Sequence, residues 1–173
     1  LDTLNFDFAK NNINGVSERK KIRIRWYNND LEKIYLEEKN KRNFFVQKNI
    51  SKMNIYINKN NFVNDLKKNI YDYKNISNSN YNFILQTNYK RNYWLSNDGK
   101  IRATIDTEIN TSPAYDLTRV IELPETILEF KFSPNSEIFF RDFISKKGLN
   151  IRSKKYSKYL QSFTVLEESG LIN

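Results

Sequence analysis

The chain contains no cysteine and no histidine. The first absence excludes disulfides, thiolate metal sites and cysteine nucleophiles within it, while leaving the redox compartment open. The second removes the usual general base, the commonest metal ligand and every serine–histidine triad. Any chemistry must therefore rest on carboxylates, cations or a metal held by oxygen. Proline and glycine are scarce, at 3 and 4 of 173 residues. No flexible linker or internal repeat is visible, so the simplest division is a single domain, 1–173, large enough to bury a core. No apolar run approaches the roughly 20 residues needed to cross a bilayer, and no signal-peptide pattern opens the chain. These features predict a soluble piece.

Hydrophobic residues make up 39% of the chain and aromatic residues 14%. The low mean hydropathy of −0.74 thus reflects abundant lysine and asparagine rather than a shortage of core formers, and disorder is excluded. A net charge of +9 attracts polyanions: nucleic acid, acidic membrane surfaces or phosphate compounds. Charge alone does not choose among them.

The segments "KIRIRWY", "KIYLEEKNKRNFFVQK", "NFILQTNYKRNYWL", "KIRATIDTEI" and "TILEFKF" alternate with period two and are rich in strand formers. "SNDG", Ser96 to Gly99, predicts a turn joining strands over about 84–95 and 100–108 into a hairpin. Phe62, Leu66 and Ile70 predict a short amphipathic helix over 61–71. A second helix is expected with Ser133 as its N-cap and Pro134 at its first position, Phe139, Phe140, Phe143 and Ile144 as its apolar set and Gly148 as its stop. A last helix is expected over 154–161, and "KNNINGV" and "YKNISNSNYN" are expected to be loops.

Successive side chains of a strand point to opposite faces, so Arg23 and Arg25 share a face opposite Ile22, Ile24 and Trp26. The pattern recurs. Tyr35, Glu37, Lys39 and Lys41 share a face, as do Tyr89 and Arg91; Arg102, Thr104 and Asp106 oppose Ile101, Ala103 and Ile105; Glu129 and Lys131 alternate with Leu128, Phe130 and Phe132. Two architectures satisfy this: an antiparallel sheet with its ionic side in water, or a barrel closed around the ionic faces with helices covering the outer apolar side.

"GVSERKKIRIRWY", "YLEEKNKR", "NYKRNYW", "DGKIRATIDT", "ILEFKF" and "KKYSKYL" follow one another in the order and character of the vacuolar transporter chaperone (VTC) domain. The chain resembles that family, the polyphosphate polymerase branch of the triphosphate tunnel metalloenzymes, over nearly its whole length. The resemblance implies an α+β fold: a closed antiparallel β-barrel, or tunnel, with a few helices outside. It implies binding of ATP or another nucleoside triphosphate with a divalent metal, Mn²⁺ or Mg²⁺, and extension of inorganic polyphosphate. It places phosphate-handling roles on Arg23, Arg25, Lys39, Arg91, Arg102 and Lys158, further substrate contacts on Lys41, Tyr89 and Glu37, and the metal on Glu129. It also implies a cytoplasmic domain, with any membrane association left to regions outside this chain. Family members usually begin with one more strand than is seen before "LDTLNFDF", so the chain is expected to be an N-terminally incomplete fragment.

The residues suit that chemistry. Phosphoryl transfer needs in-line oxygens and cations to absorb spreading negative charge, and a phosphate acceptor is already ionised and needs no base. Arginine can grip two phosphate oxygens with its planar fork, and oxygen ligands suit Mg²⁺ or Mn²⁺. Glu37 is left between orienting Lys39 and meeting the metal, and Tyr89 between core aromatic and phosphate-binding hydroxyl. A triphosphate or polyphosphate hydrolase, a non-catalytic polyphosphate sensor and a nucleic-acid-binding module stay open as alternatives. Nucleic acid is disfavoured because carboxylates interrupt the cations and no recognised binding signature appears.

Overall fold

The computed structural model describes residues 1–55, 57, 61–70, 81–148 and 154–172. The elements run β1 (Asp2–Thr3), α1 (Asp7–Ile13), β2 (Glu18–Tyr27), β3 (Asp30–Arg42), β4 (Phe45–Met53), α2 (Phe62–Ile70), β5 (Tyr81–Asn82), β6 (Leu85–Leu95), β7 (Ile101–Pro113), β8 (Ile121–Leu123) and β9 (Ile127–Phe132). A 3-10 turn at Pro134–Ser136 then leads into α3 (Glu137–Lys146), and α4 (Lys158–Glu168) closes the order. All pairing is antiparallel and the fold is α+β. One sheet is β2–β3–β4; a second carries β6, β8 and β9 around β7; β1 pairs with β5. Among the described residues no sheet closes on itself, so the hydrogen-bond ladders form separate sheets and not the continuous barrel expected from the resemblance.

Local chemistry explains the boundaries. Asn28 and Asn29 both take positive φ, at 50° and 56°, and close the two-residue turn between β2 and β3, since asparagine tolerates the left-handed region. The expected single strand over "KIYLEEKNKRNFFVQK" is instead two strands. Asn43, at φ 54°, turns the chain so that Phe45 faces Arg42. "KNNINGV" is not all loop, because α1 continues to Ile13. There the buried Asp2 carboxylate accepts the Phe8 and Ala9 amides at 2.8 and 3.0 Å, satisfying helix-start donors from outside the helix. The last helix starts and ends later than expected, with Ser157 as its N-cap. Of "YKNISNSNYN", residues 73–80 lie outside the described residues, and Tyr81–Asn82 is strand.

The apolar faces behave as alternation requires. Ile22, Ile34, Leu36 and Met53 from the first sheet pack with Phe8, Ile57, Leu66 and Ile70, so α2 covers that sheet's outer side. Ile34 has no exposed surface, and truncating it to alanine would cost about 2–5 kcal/mol. On the second sheet Phe140 of α3 packs against Phe130 and Phe132 at 4.8 and 4.5 Å between ring centroids. Phe139 and Phe143, from the same expected apolar set, stay exposed.

Candidate functional site

With the apolar sides covered by helices, the ionic sides of the two sheets are left, and the start of α4 joins them. Lys21 of β2 donates to the Ser157 hydroxyl at 3.3 Å. The next residue, Lys158, places its ammonium against Asp106 of β7 and over the Tyr89 ring of β6 at 4.7 Å. Farther along, Tyr27 of β2 feels, at its hydroxyl, the charges of Tyr93 and Tyr89 on β6. Burial pushes its hydroxyl up, Arg25 opposes the rise, and the two tyrosines add to it. The ionic faces therefore look toward each other.

Each face is organised around one buried carboxylate. On the first sheet β2 and β3 pair Arg23 with Glu37 and Arg25 with Tyr35, which brings both arginines over Glu37, itself only 3% exposed. Arg23 donates Nε to Oε2 at 2.7 Å, with Nη2 at 2.6 Å. Arg25 Nε stands 2.9 Å from Oε1 and Lys48 Nζ stands 3.3 Å from it. These last two are close ion pairs without hydrogen-bond alignment, since Arg25 Nε and Glu37 Oε1 lack a hydrogen-bond partner. Burial pushes the Glu37 carboxyl up, but the Arg23 hydrogen bond and the charges of Arg23 and Arg25 outweigh it and hold the group below its ordinary value. Glu37 therefore orients cations.

On the second sheet Asp106 is 1% exposed and accepts Arg91 at both oxygens, Nε to Oδ1 at 2.5 Å and Nη2 to Oδ2 at 2.6 Å. Burial raises its pKa while the bonds from Arg91 and Lys158 lower it, and the net effect is downward. Tyr89 is exposed and not part of the core, and its ring cushions Arg91 at 5.2 Å as well as Lys158. A bulge sets this geometry. Between Asn88 and Lys90 the register shifts by one residue on β7, where Glu108 takes φ 50°, and Thr111 and Asp106 thereby face the same side despite their odd spacing.

The remaining expected residues are distributed along the two faces. Lys39 lies beside Lys21 and Lys48, and Lys41 beside Arg19. Arg102 is exposed on the second face and paired in register with Lys131. Glu129 faces Thr104 across the ladder, and its carboxylate meets Lys131 at 3.4 Å. Among the described residues no three acidic groups converge on one point, so Glu129 can offer a metal one carboxylate. The neighbouring Thr104 hydroxyl is buried without a partner, and an oxygen-rich shell completed by phosphate and water suits Mg²⁺ or Mn²⁺. Such an ion would have to draw Glu129 away from Lys131.

Sequence reasoning passed over Lys48 because the turn at Asn43 was not placed; once it is, pairing with Lys39 puts Lys48 on the ionic face. Asp106 was visible as a carboxylate on that face, but not as the partner of Arg91 and Lys158. Lys21 and Arg19 continue the Arg23 and Arg25 alternation and needed only that extension.

Comparison with known proteins adds two findings. The model of the family described as the VTC domain matches residues 1–167. No curated protein matches the chain.

Proposed function

Because the chain belongs to the VTC domain family, we propose that it is a polyphosphate polymerase-like phosphotransferase whose two facing sheets act as the walls of a phosphate tunnel. The observation that carries this is the pair of carboxylate-centred cation clusters, Glu37 with Arg23, Arg25 and Lys48, and Asp106 with Arg91 and Lys158, joined at the start of α4. Each buried acid fixes its cations in position while leaving them more cationic than acidic. Such preorganised charge stabilises a transition state without reorganising when charge moves.

In this reading ATP lays its phosphates along Arg23, Arg25, Lys39, Arg91 and Arg102. A terminal oxygen of the polyphosphate chain attacks the γ-phosphorus, the bond from that phosphorus to the β–γ bridging oxygen breaks, and ADP leaves with the electron pair. The acceptor oxygen is already ionised, so the absence of histidine is no obstacle. Glu129 would hold Mn²⁺ or Mg²⁺, which supplies charge neutralisation on the transferring group. Scarcity of free carboxylates favours transfer over hydrolysis, because Glu37 and Asp106 are both engaged by cations and neither is placed to activate water.

The test is incubation of the chain with ATP and Mn²⁺, followed by gel detection of polymer beside a Glu129→Ala control. Polymer that is lost in the control supports the reading. Free phosphate without polymer would replace it with a hydrolase, and unconsumed ATP bound to a folded protein would replace it with a sensor.

A further inference from the structure

Among the described residues the long strands β2, β4 and β6 each have one edge without a strand partner. β2 and β6 are interrupted by register shifts, between Arg25 and Tyr27 and between Asn88 and Lys90, and such irregularities blunt an edge against pairing with another chain. β4 has none. Its nine residues, Phe45–Met53, pair with β3 in unbroken register and contain no proline or glycine. Every residue from Phe45 to Lys52 is exposed. Phe44, at the turn, is 99% exposed and Phe45 81%, and Val46 and Ile50 stand half exposed on the ionic face. Lysine commonly guards an edge, but Lys48 is drawn back toward Glu37, 3.3 Å away.

A row of backbone donors and acceptors beside exposed aromatic and β-branched side chains is a template for one more strand. The sequence of β4 fits a second copy of itself. A two-fold axis perpendicular to the sheet sets β4 antiparallel to its own copy and keeps ionic face beside ionic face, because directly opposed residues point to the same side. Centred on Asn49, this register opposes all nine residues: Lys48 meets Ile50, Lys52 meets Val46, Gln47 meets Ser51 and Phe45 meets Met53. No lysine faces a lysine. Moving the centre to Lys48 sets that lysine against its own copy, and moving it to Ile50 sets Lys48 against Lys52. Like charges directly opposite each other are destabilising, so charge and overlap select the same alignment.

We propose that β4 is a homodimerisation edge: two copies of the chain join β4 to β4 about Asn49 and make one antiparallel sheet in the order β2–β3–β4–β4–β3–β2, with both ionic faces on the same side. This goes beyond the phosphotransferase reading and does not depend on it. The new ladder supplies main-chain hydrogen bonds, and Phe44, Phe45, Val46 and Ile50 supply apolar area. A contact one strand wide falls well short of an obligate interface, so the association is reversible and rises with protein concentration.

The chain has no cysteine, so an introduced one reports the register without background. Directly opposed residues of an antiparallel pair have Cα atoms about 4.5–5.5 Å apart, within reach of a disulfide. Asn49→Cys is therefore expected to give a covalent dimer on mild oxidation. Gln47→Cys lies about 13 Å along the strand from its own copy, so it should crosslink poorly alone and well when mixed with Ser51→Cys. Sedimentation equilibrium of the parent should show monomer and dimer in exchange. Val46→Lys/Ile50→Lys sets lysine against lysine at four places across the ladder and should weaken the association by about tenfold or more, with thermal unfolding still cooperative. A parent that stays monomeric at every concentration up to about 1 mM would overturn the proposal. So would a dimer that survives the double lysine variant, one that Asn49→Cys does not crosslink, or one that Gln47→Cys alone crosslinks as readily. If the double lysine variant fails to fold, the cysteine variants decide.

Discussion

Arg91 holds Asp106 with both arms of its guanidinium, at 2.5 and 2.6 Å, and so ties β6 to β7 at the point where Lys158 arrives from α4. Neutralising Asp106 should therefore free two cations at once. Asp106→Asn is expected to lower polymer formation by about 10²-fold, the usual effect of misplacing positioned groups by an ångström. ATP affinity should change far less, because both cations remain charged. Single-turnover rates and equilibrium binding measured on the same protein separate the two, and equal losses in both would remove the positioning role.

Glu37 carries a different load, with three cations around one buried acid. Glu37→Gln leaves Arg23, Arg25 and Lys48 repelling one another. The cost of breaking a fully buried pair, about 3–5 kcal/mol, should be reduced here to about 1–3 kcal/mol, because the cations themselves are partly exposed and screened. Tripolyphosphate should restore much of the loss by supplying the missing negative charge. Thermal unfolding with and without the ligand checks both halves of this prediction.

Both buried acids have folded pKa values below their ordinary ones. A depressed carboxylate contributes stability that is fully present above its unfolded value, about 4.3 for glutamate and 3.9 for aspartate. That stability is lost as pH falls from there through the lower folded value. Stability from these two groups should therefore be flat from neutral pH down to about 5 and decline below it. Denaturant titrations over pH 7 to 3 should show an acid limb that is shallower in Glu37→Gln than in the parent.

Arg25 stands over Glu37 with its other face on the Tyr27 ring at 4.9 Å, held from both sides. Ligand at about 100 times Kd stabilises a protein by about 2.7 kcal/mol, which for a chain of this size is a rise of about 5–10 °C in Tm. Arg25→Ala should abolish most of the rise produced by tripolyphosphate while keeping a cooperative transition. A full-sized rise in the variant would remove Arg25 from the clamp.

Much of the site was legible because strand alternation is a local rule. Once "KIRIRWY" is extended, Arg23 and Arg25 must share a face, and the same holds for Glu37 with Lys39 and for Arg102 with Asp106. The family resemblance named the same positions apart from Asp106. What alternation could not supply was partnership. Glu37 was left between metal and lysine, yet its neighbours are two arginines on β2 and a lysine on β4, brought there by register. The turn at Asn43 was hidden inside a run without glycine or proline, since a two-residue turn needs only a left-handed asparagine and leaves little trace in composition.

The sequence by itself determined the two-faced strands, the helices that cover their apolar sides, the excess of cations and the impossibility of histidine or cysteine chemistry, because each follows from residue type and spacing along the chain. Only the tertiary structure decided which acid neutralises which cations and that the ionic faces look at each other across the start of α4. Those outcomes depend on register and bulges, where a shift of a single residue reverses a face. Electrostatic energy depends on distances in space, and residues separated by more than a hundred positions, such as Lys21 and Ser157, acquire a distance only when the chain has folded.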